Sequence, residues 1–151
     1  MPNIRAPTWN FVGASRECWR CEALTSVFAI VLPSGHETLI AEDDPRADRW
    51  VRGEWSVLLS YVGDVPRCVA AEFQMIAPQY RVDHSRTIGS SYWMNHCEHC
   101  DAKLGDFETI EEPDTFYKLG PAADQRTLII TDYYPIAEPF SGSCGGFAVI
   151  E

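Results

Sequence analysis

Four cysteines in two pairs, Cys18-Trp19-Arg20-Cys21 and Cys97-Glu98-His99-Cys100, constrain this chain more than any other feature. Two sulfurs three positions apart can grip one ion from a single tight turn, and two such turns complete a tetrahedral four-thiolate shell with metal–sulfur bonds of about 2.3 Å. A shell closed by four protein ligands leaves no position for substrate. The expectation is therefore one structural zinc ion per chain, held by Cys18, Cys21, Cys97 and Cys100. Seventy-five residues separate Cys21 from Cys97, against roughly 15 to 20 between the pairs of a compact zinc ribbon, so an ion here would tie together distant parts of the chain. A redox dithiol needs one pair at a helix start in a βαβ setting, whereas the first pair precedes a predicted strand and the second follows one. An iron–sulfur centre, a redox pair and unliganded thiols nevertheless draw on the same residues and stay open at this point. The glycine that often follows the second cysteine of such a turn is replaced by Glu22 and Asp101. If the backbone turns to positive φ there, Asp tolerates it better than Glu.

The chain has 151 residues and 46% hydrophobic content, enough for a core, and a single domain spanning 1–151 is expected. The first residues carry no run of roughly 7 to 15 apolar side chains, and no stretch approaches the roughly 18 that a membrane span needs. A soluble, cytoplasmic protein without membrane contact is expected, and six cysteines are too few for a disulfide-built secreted scaffold. Twelve basic against 22 acidic side chains give a formal net charge of −10. Nucleic-acid binding depends on cationic side chains neutralising phosphates, so it is disfavoured unless Arg16, Arg20, Arg46, Arg49 and Arg52 gather into one patch. The acidic balance is expected first of all to serve solubility, and a basic protein partner is the sharper alternative.

The pattern along the chain predicts an α+β fold, mainly antiparallel strands with one central helix. Ser26–Leu32 is an apolar run stopped by Pro33-Ser34-Gly35, read as a buried strand, with Thr38–Ala41 as its hairpin return. Ala41–Asp48 reads as a solvated loop and Trp55–Val62 as a second strand. Asp64 ahead of Val65-Pro66 signals a helix start, and apolar positions at 65, 68, 69, 73 and 76 give one amphipathic helix over 66–77, closed by Pro78, with Cys68 on its apolar face. Tyr80–Ser85 and Tyr92–Asn95 read as a hairpin that delivers Cys97. Thr127–Tyr134 and Gly146–Glu151 read as further strands.

His96 and His99 interleave with the second cysteine pair but are expected outside the ligand set, because four cysteines already suffice. His36 and His84 are expected to be surface or hydrogen-bonded histidines. Trp19 and Tyr92-Trp93 flank the knuckles, and they suit either packing around a metal or a partner surface.

Ser141-Gly142-Ser143-Cys144-Gly145-Gly146 resembles the G-x-C-G-G nucleophile loop of chymotrypsin-like viral cysteine proteases. That resemblance implies Cys144 as nucleophile with His36 or His84 as base. It covers six residues, and with five residues after Gly146 no β-barrel half is expected to follow. The competing expectation is a glycine-rich turn between the last strands, with Cys144 a spare thiol or close to the metal. Over roughly residues 15–118 the chain resembles a family of small uncharacterised bacterial zinc-binding proteins. They join a C-W-x-C segment ahead of an apolar strand to an N-H-C-x-H-C segment followed by L-G-D-F, here Cys18–Cys21, Asn95–Cys100 and Leu104–Phe107. The resemblance implies zinc binding and no known activity. The leading expectation is a zinc-stabilised, non-enzymatic protein-interaction module. An acidic inhibitor or immunity-type protein, or a thiol enzyme using Cys144, are the alternatives.

Overall fold

The computed structural model describes residues 2–40, 43–111, 128–129, 134–135 and 139–147. Strands dominate, every pairing is antiparallel, and the described residues hold one α-helix, which places the chain in the α+β class. Among the described residues twelve strands form three sheets. In chain order they are β1 (Ile4–Arg5), β2 (Thr8–Glu17), β3 (Leu24–Leu32), β4 (Glu37–Ile40), β5 (Arg49–Arg52), β6 (Val57–Ser60), β7 (Arg81–Ser85), β8 (Ser90–His96), β9 (Lys103–Leu104), β10 (Leu128–Ile129), β11 (Tyr134–Pro135) and β12 (Ser143–Phe147). The helix α1 (Arg67–Ile76) lies between β6 and β7.

The principal sheet runs β10-β2-β3-β6-β12, with β11 pairing β2 beyond β10. Its centre is the long β2–β3 hairpin, registered from Asn10 opposite Val31 to Glu17 opposite Leu24. Both faces of this hairpin are covered, which explains why β3 reads as a continuous apolar run rather than an alternating one. Side chains of Trp9, Phe11, Phe28, Ile30 and Leu59 point to one face and meet Val69 and Phe73 of α1 with Tyr80 and Trp93. Phe73 sits at the middle of this aromatic cluster, with ring centroids 4.5 Å from Phe11, 4.9 Å from Trp93 and 5.4 Å from both Trp9 and Tyr80. The opposite face carries Val12, Ala14, Val27, Ala29, Val31 and Leu58, against Cys18, Cys97, Ala102, Leu104 and Ile110. The cysteine turns therefore belong to the second of two cores.

Several sequence expectations need correction. Thr8–Glu17, the longest strand, is not among the predicted elements, because Asn10, Gly13 and Ser15 break its alternation while β3 and the C-terminal strands bury it from both edges. Of the return expected at Thr38–Ala41, residues 38–40 belong to β4, which does not pair with β3, and residue 41 lies outside the described residues. Pro33-Ser34-Gly35, with Gly35 at φ 94°, turns the chain onto a separate sheet, β1-β4-β5. The second predicted strand is confined to Val57–Ser60, ended by Tyr61 at φ 52°. The helix is as expected within a residue at either end, but Asp64 does not cap it: Pro66 is the N-cap residue, without a side-chain bond, while Asp64 bonds Ser141. Cys68 is exposed, not apolar-face, because the buried stripe runs through Val69 and Phe73. The hairpin delivering Cys97 is present as β7–β8, with five residue pairs. Of Thr127–Tyr134, residues 128–129 and 134 are described and pair with β2; of Gly146–Glu151, residues 148–151 lie outside the described residues.

The expected turn at 141–146 is instead largely strand β12, paired with β6 through Cys144 opposite Leu59, with an irregularity before Phe147. The arginines named above divide between elements. Arg49 and Arg52 are on β5 and Arg46 pairs with Asp44 in the turn before it, whereas Arg16 donates to Thr109 and Arg20 lies in the first cysteine turn. No described helix is long and apolar enough to cross a membrane.

Candidate metal centre

Each cysteine pair occupies the tip of an antiparallel hairpin, Cys18–Cys21 between β2 and β3 and Cys97–Cys100 between β8 and β9. The two tips are built alike. The Cys18 amide donates to the Ala23 carbonyl and the Glu22 amide to the Cys18 carbonyl; in the second turn Cys97 donates to Ala102 and Asp101 to Cys97, all at 2.9 Å. The amide of the residue two after each first cysteine, Arg20 and His99, points at that cysteine's sulfur at 3.4 Å. Glu22 and Asp101 take the equivalent position with φ 65° and 63°, the left-handed conformation that a glycine would adopt without strain. Glu22 is exposed and its side chain makes no hydrogen bond with the described residues. Glu22→Gly should therefore stabilise the metal-loaded protein by about 0.5–1 kcal/mol, the relieved strain less the added freedom of the unfolded chain. Urea unfolding with an unchanged or lower midpoint would contradict this.

The four sulfurs converge, all within 4.8 Å of one another. The closest approaches run between turns, Cys18 to Cys100 at 3.5 Å and Cys21 to Cys97 at 3.6 Å. Four sulfurs at about 2.3 Å from a common tetrahedral centre stand about 3.8 Å apart, so the cluster has nearly the edge length that an ion requires. These separations are far from the roughly 2.05 Å of a disulfide. The donor set, four thiol sulfurs within 4.8 Å of one another, suits zinc or iron and suits oxygen-preferring cations poorly.

Electrostatics at the cluster favours an ion in the same way. Burial raises the Cys97 thiol, but amides of Cys100 and His99 and the neighbouring thiols outweigh it and hold the group near 6. At Cys100 burial likewise acts upward, and the Ala102 amide, the Cys18 thiol and Arg20 bring the net shift down. At Cys21 the Ala23 amide acts downward, yet desolvation and the other three thiols push the group up to about 12. Sulfurs this close cannot all ionise beside one another without a cation among them.

Contacts outside the sulfurs lock the turns together. Trp19 Nε1–H donates to the Lys103 carbonyl at 2.7 Å, and His99 Nε2–H to the Leu24 carbonyl at 2.9 Å, so each turn caps the strand that leaves the other. Arg20 donates to the Cys100 carbonyl. The Glu98 amide donates to Thr25 Oγ1 at 3.0 Å and its carboxylate accepts from the Ser26 amide at 3.2 Å. Bonds of this kind orient ligands and tune the metal.

His96 and His99 stand outside the sulfur cluster, as expected. His96 is fully buried, with Nδ1 3.0 Å from the Gln79 and Met94 carbonyls and Nε2 2.7 Å from Asp83. Its hydrogen bond, the largest cause, holds the Asp83 carboxyl down to about 2. Cys144 is apart from the cluster: its thiol faces Thr38 Oγ1 at 3.7 Å and burial pushes it up, opposite to an activated nucleophile. Neither His36, whose Nδ1 bonds the Pro33 carbonyl, nor His84, beside Ser91, is a hydrogen-bond partner of Cys144.

The buried amide of Asn95 carries a role that the sequence reading did not assign. β6 pairs with β3 only at Val31 and Leu32. Further along that strand Asn95 Nδ2 donates to the Phe28 carbonyl and Oδ1 accepts from the Phe28 amide, both at 2.8 Å. A side-chain amide thus splices the hairpin bearing the second cysteine pair onto the principal sheet. Its adjacency to His96-Cys97 was the available signal. Comparison with family models, curated proteins and solved structures finds no match.

Proposed function

We propose that the chain is a structural zinc protein acting as a non-enzymatic protein-interaction module, with Cys18, Cys21, Cys97 and Cys100 as ligands in a zinc-ribbon-like arrangement. One observation carries the reading: four sulfurs at near-tetrahedral spacing on two hairpin tips, which leave an ion no coordination position for substrate. The interaction role is supported by exposed apolar side chains on and beside the knuckles, with Trp19 61% and Leu24 66% accessible, since monomeric surfaces concentrate such groups where partners dock.

Elemental analysis with native mass spectrometry, on protein purified without added metal, tests the zinc reading. One zinc per chain is expected. A single coloured, redox-active iron held by the same sulfurs would replace the structural role with electron transfer, and metal-free protein with four freely alkylated thiols would overturn the proposal altogether.

A further inference from the structure

Beside the first cysteine turn a groove of about 390 Å³ opens between Trp19, Tyr61, Tyr92 and Phe107. A second hollow of about 270 Å³ shares Ser85, Lys103 and Gly105 with it and carries Arg86. The larger hollow falls within the roughly 300–1,000 Å³ of small-molecule sites, where apolar walls surround a few convergent polar groups. Two of its rings are held by hydrogen bonds. The Trp19 indole is pinned by its bond to the Lys103 carbonyl, and the Tyr92 hydroxyl accepts from the Asp106 amide at 3.1 Å. Tyr61 and Tyr92 stand at 83° with centroids 5.1 Å apart, so a flat guest stacked parallel to one ring turns its own edge to the face of the other, the two favoured aromatic arrangements.

The charge lining is the second observation. In a chain with 22 acidic and 12 basic side chains, no carboxylate among the described residues lines either hollow. The Lys103 ammonium is already engaged, 2.7 Å from the His84 carbonyl and 3.4 Å from Asp83. Arg86 is exposed and has no hydrogen bond or ion pair with any described residue, leaving its planar donor fork available to a carboxylate.

From these features we infer that the joined hollows bind a small planar aromatic carboxylate, its ring among Trp19, Tyr61, Tyr92 and Phe107 and its carboxylate on Arg86. The net charge of −10 slows an anion's approach, but charges beyond about 8–10 Å are screened at physiological salt, and the contact with Arg86 decides affinity. The inference requires the knuckles to be folded and is independent of which ion they hold.

Naphthoate is the probe, with naphthalenemethanol as its uncharged counterpart, titrated into metal-loaded protein while the indole N–H signals of the five tryptophans are followed by NMR. Saturable movement of the Trp19 signal by naphthoate, with Trp50 and Trp55 unmoved, is expected. Arg86→Gln should weaken naphthoate about tenfold, about 1.4 kcal/mol, and leave naphthalenemethanol unaffected, whereas Phe107→Ala should weaken both. A Trp19 signal that does not move, movement at Trp50 or Trp55 instead, or naphthoate affinity indifferent to Arg86→Gln overturns the inference. The wild-type titration decides even if a variant folds poorly.

Discussion

Cys97→Ser should yield protein without bound metal whose thermal midpoint lies at least about 10 °C below wild type, or that no longer melts cooperatively. The size follows from linkage: ligands assembled only in the folded state make binding energy into folding energy, with apparent values of about 10–16 kcal/mol for zinc in small fingers at neutral pH. Total domain stabilities are about 5–15 kcal/mol, so losing even about half of the smaller figure is severe. At about 2–4 °C per kcal/mol for a chain of this length, about 5 kcal/mol corresponds to the stated shift. The aromatic core around Phe73 contains no cysteine and should resist. The opposite core includes Cys18 and Cys97, with Cys100 packed against it, and should come apart. A strong chelator added to wild-type protein should reproduce the drop, and added zinc should reverse it in wild type alone. Calorimetry showing a soluble Cys97→Ser protein with an unchanged midpoint would sink the structural-metal reading.

The cysteine cluster was legible in the sequence because C-x-x-C spacing encodes a local turn, and the hairpin that delivers Cys97 was legible because Tyr80–Ser85 and Tyr92–Asn95 alternate around Gly89. Positive φ after each second cysteine was only a condition in the sequence, since no glycine marks it, and Glu22 and Asp101 both adopt it. What escaped depends on contacts between distant residues. Thr8–Glu17 carries Asn10, Gly13 and Ser15, which only a two-sided burial between β3 and the C-terminal strands makes acceptable in a strand. Thr38–Ala41 looked like a return for β3 because chain proximity favours hairpins, yet the Gly35 turn sends residues 38–40 to β1 and β5. Cys68 occupied a helical position compatible with burial, and its exposure is settled by where the sheet lies, not by the periodicity of α1. Asn95 falls in the predicted strand without a role of its own, since adjacency to His96-Cys97 does not say that its side chain bonds a backbone 67 positions away.

That splice supplies the second large effect. Asn95→Asp should cost about 3–5 kcal/mol at pH 8, the scale of leaving a buried charge uncompensated. The oxygen facing the Phe28 amide keeps its hydrogen bond, but the Nδ2 that donates to the Phe28 carbonyl at 2.8 Å becomes a carboxylate oxygen, acceptor against acceptor in a fully buried site. Protonation would restore a donor there, so the new carboxyl's folded-state pKa must rise above its unfolded value. A raised folded pKa means stability that is present at low pH and lost as pH rises, so the deficit relative to wild type should grow from pH 6 to pH 8. Asn95→Ala, which abandons both bonds and leaves the Phe28 amide and carbonyl without this partner, should cost about 2–4 kcal/mol with no such pH trend. Because Asn95 is two residues from Cys97 on β8 and its run into the knuckle, both variants should also hold metal less tightly. Urea unfolding at the two pH values, with chelator competition for the ion, measures each effect. Equal deficits at pH 6 and pH 8 for Asn95→Asp would show that the Phe28 pairing is not what joins the cysteine hairpin to the sheet.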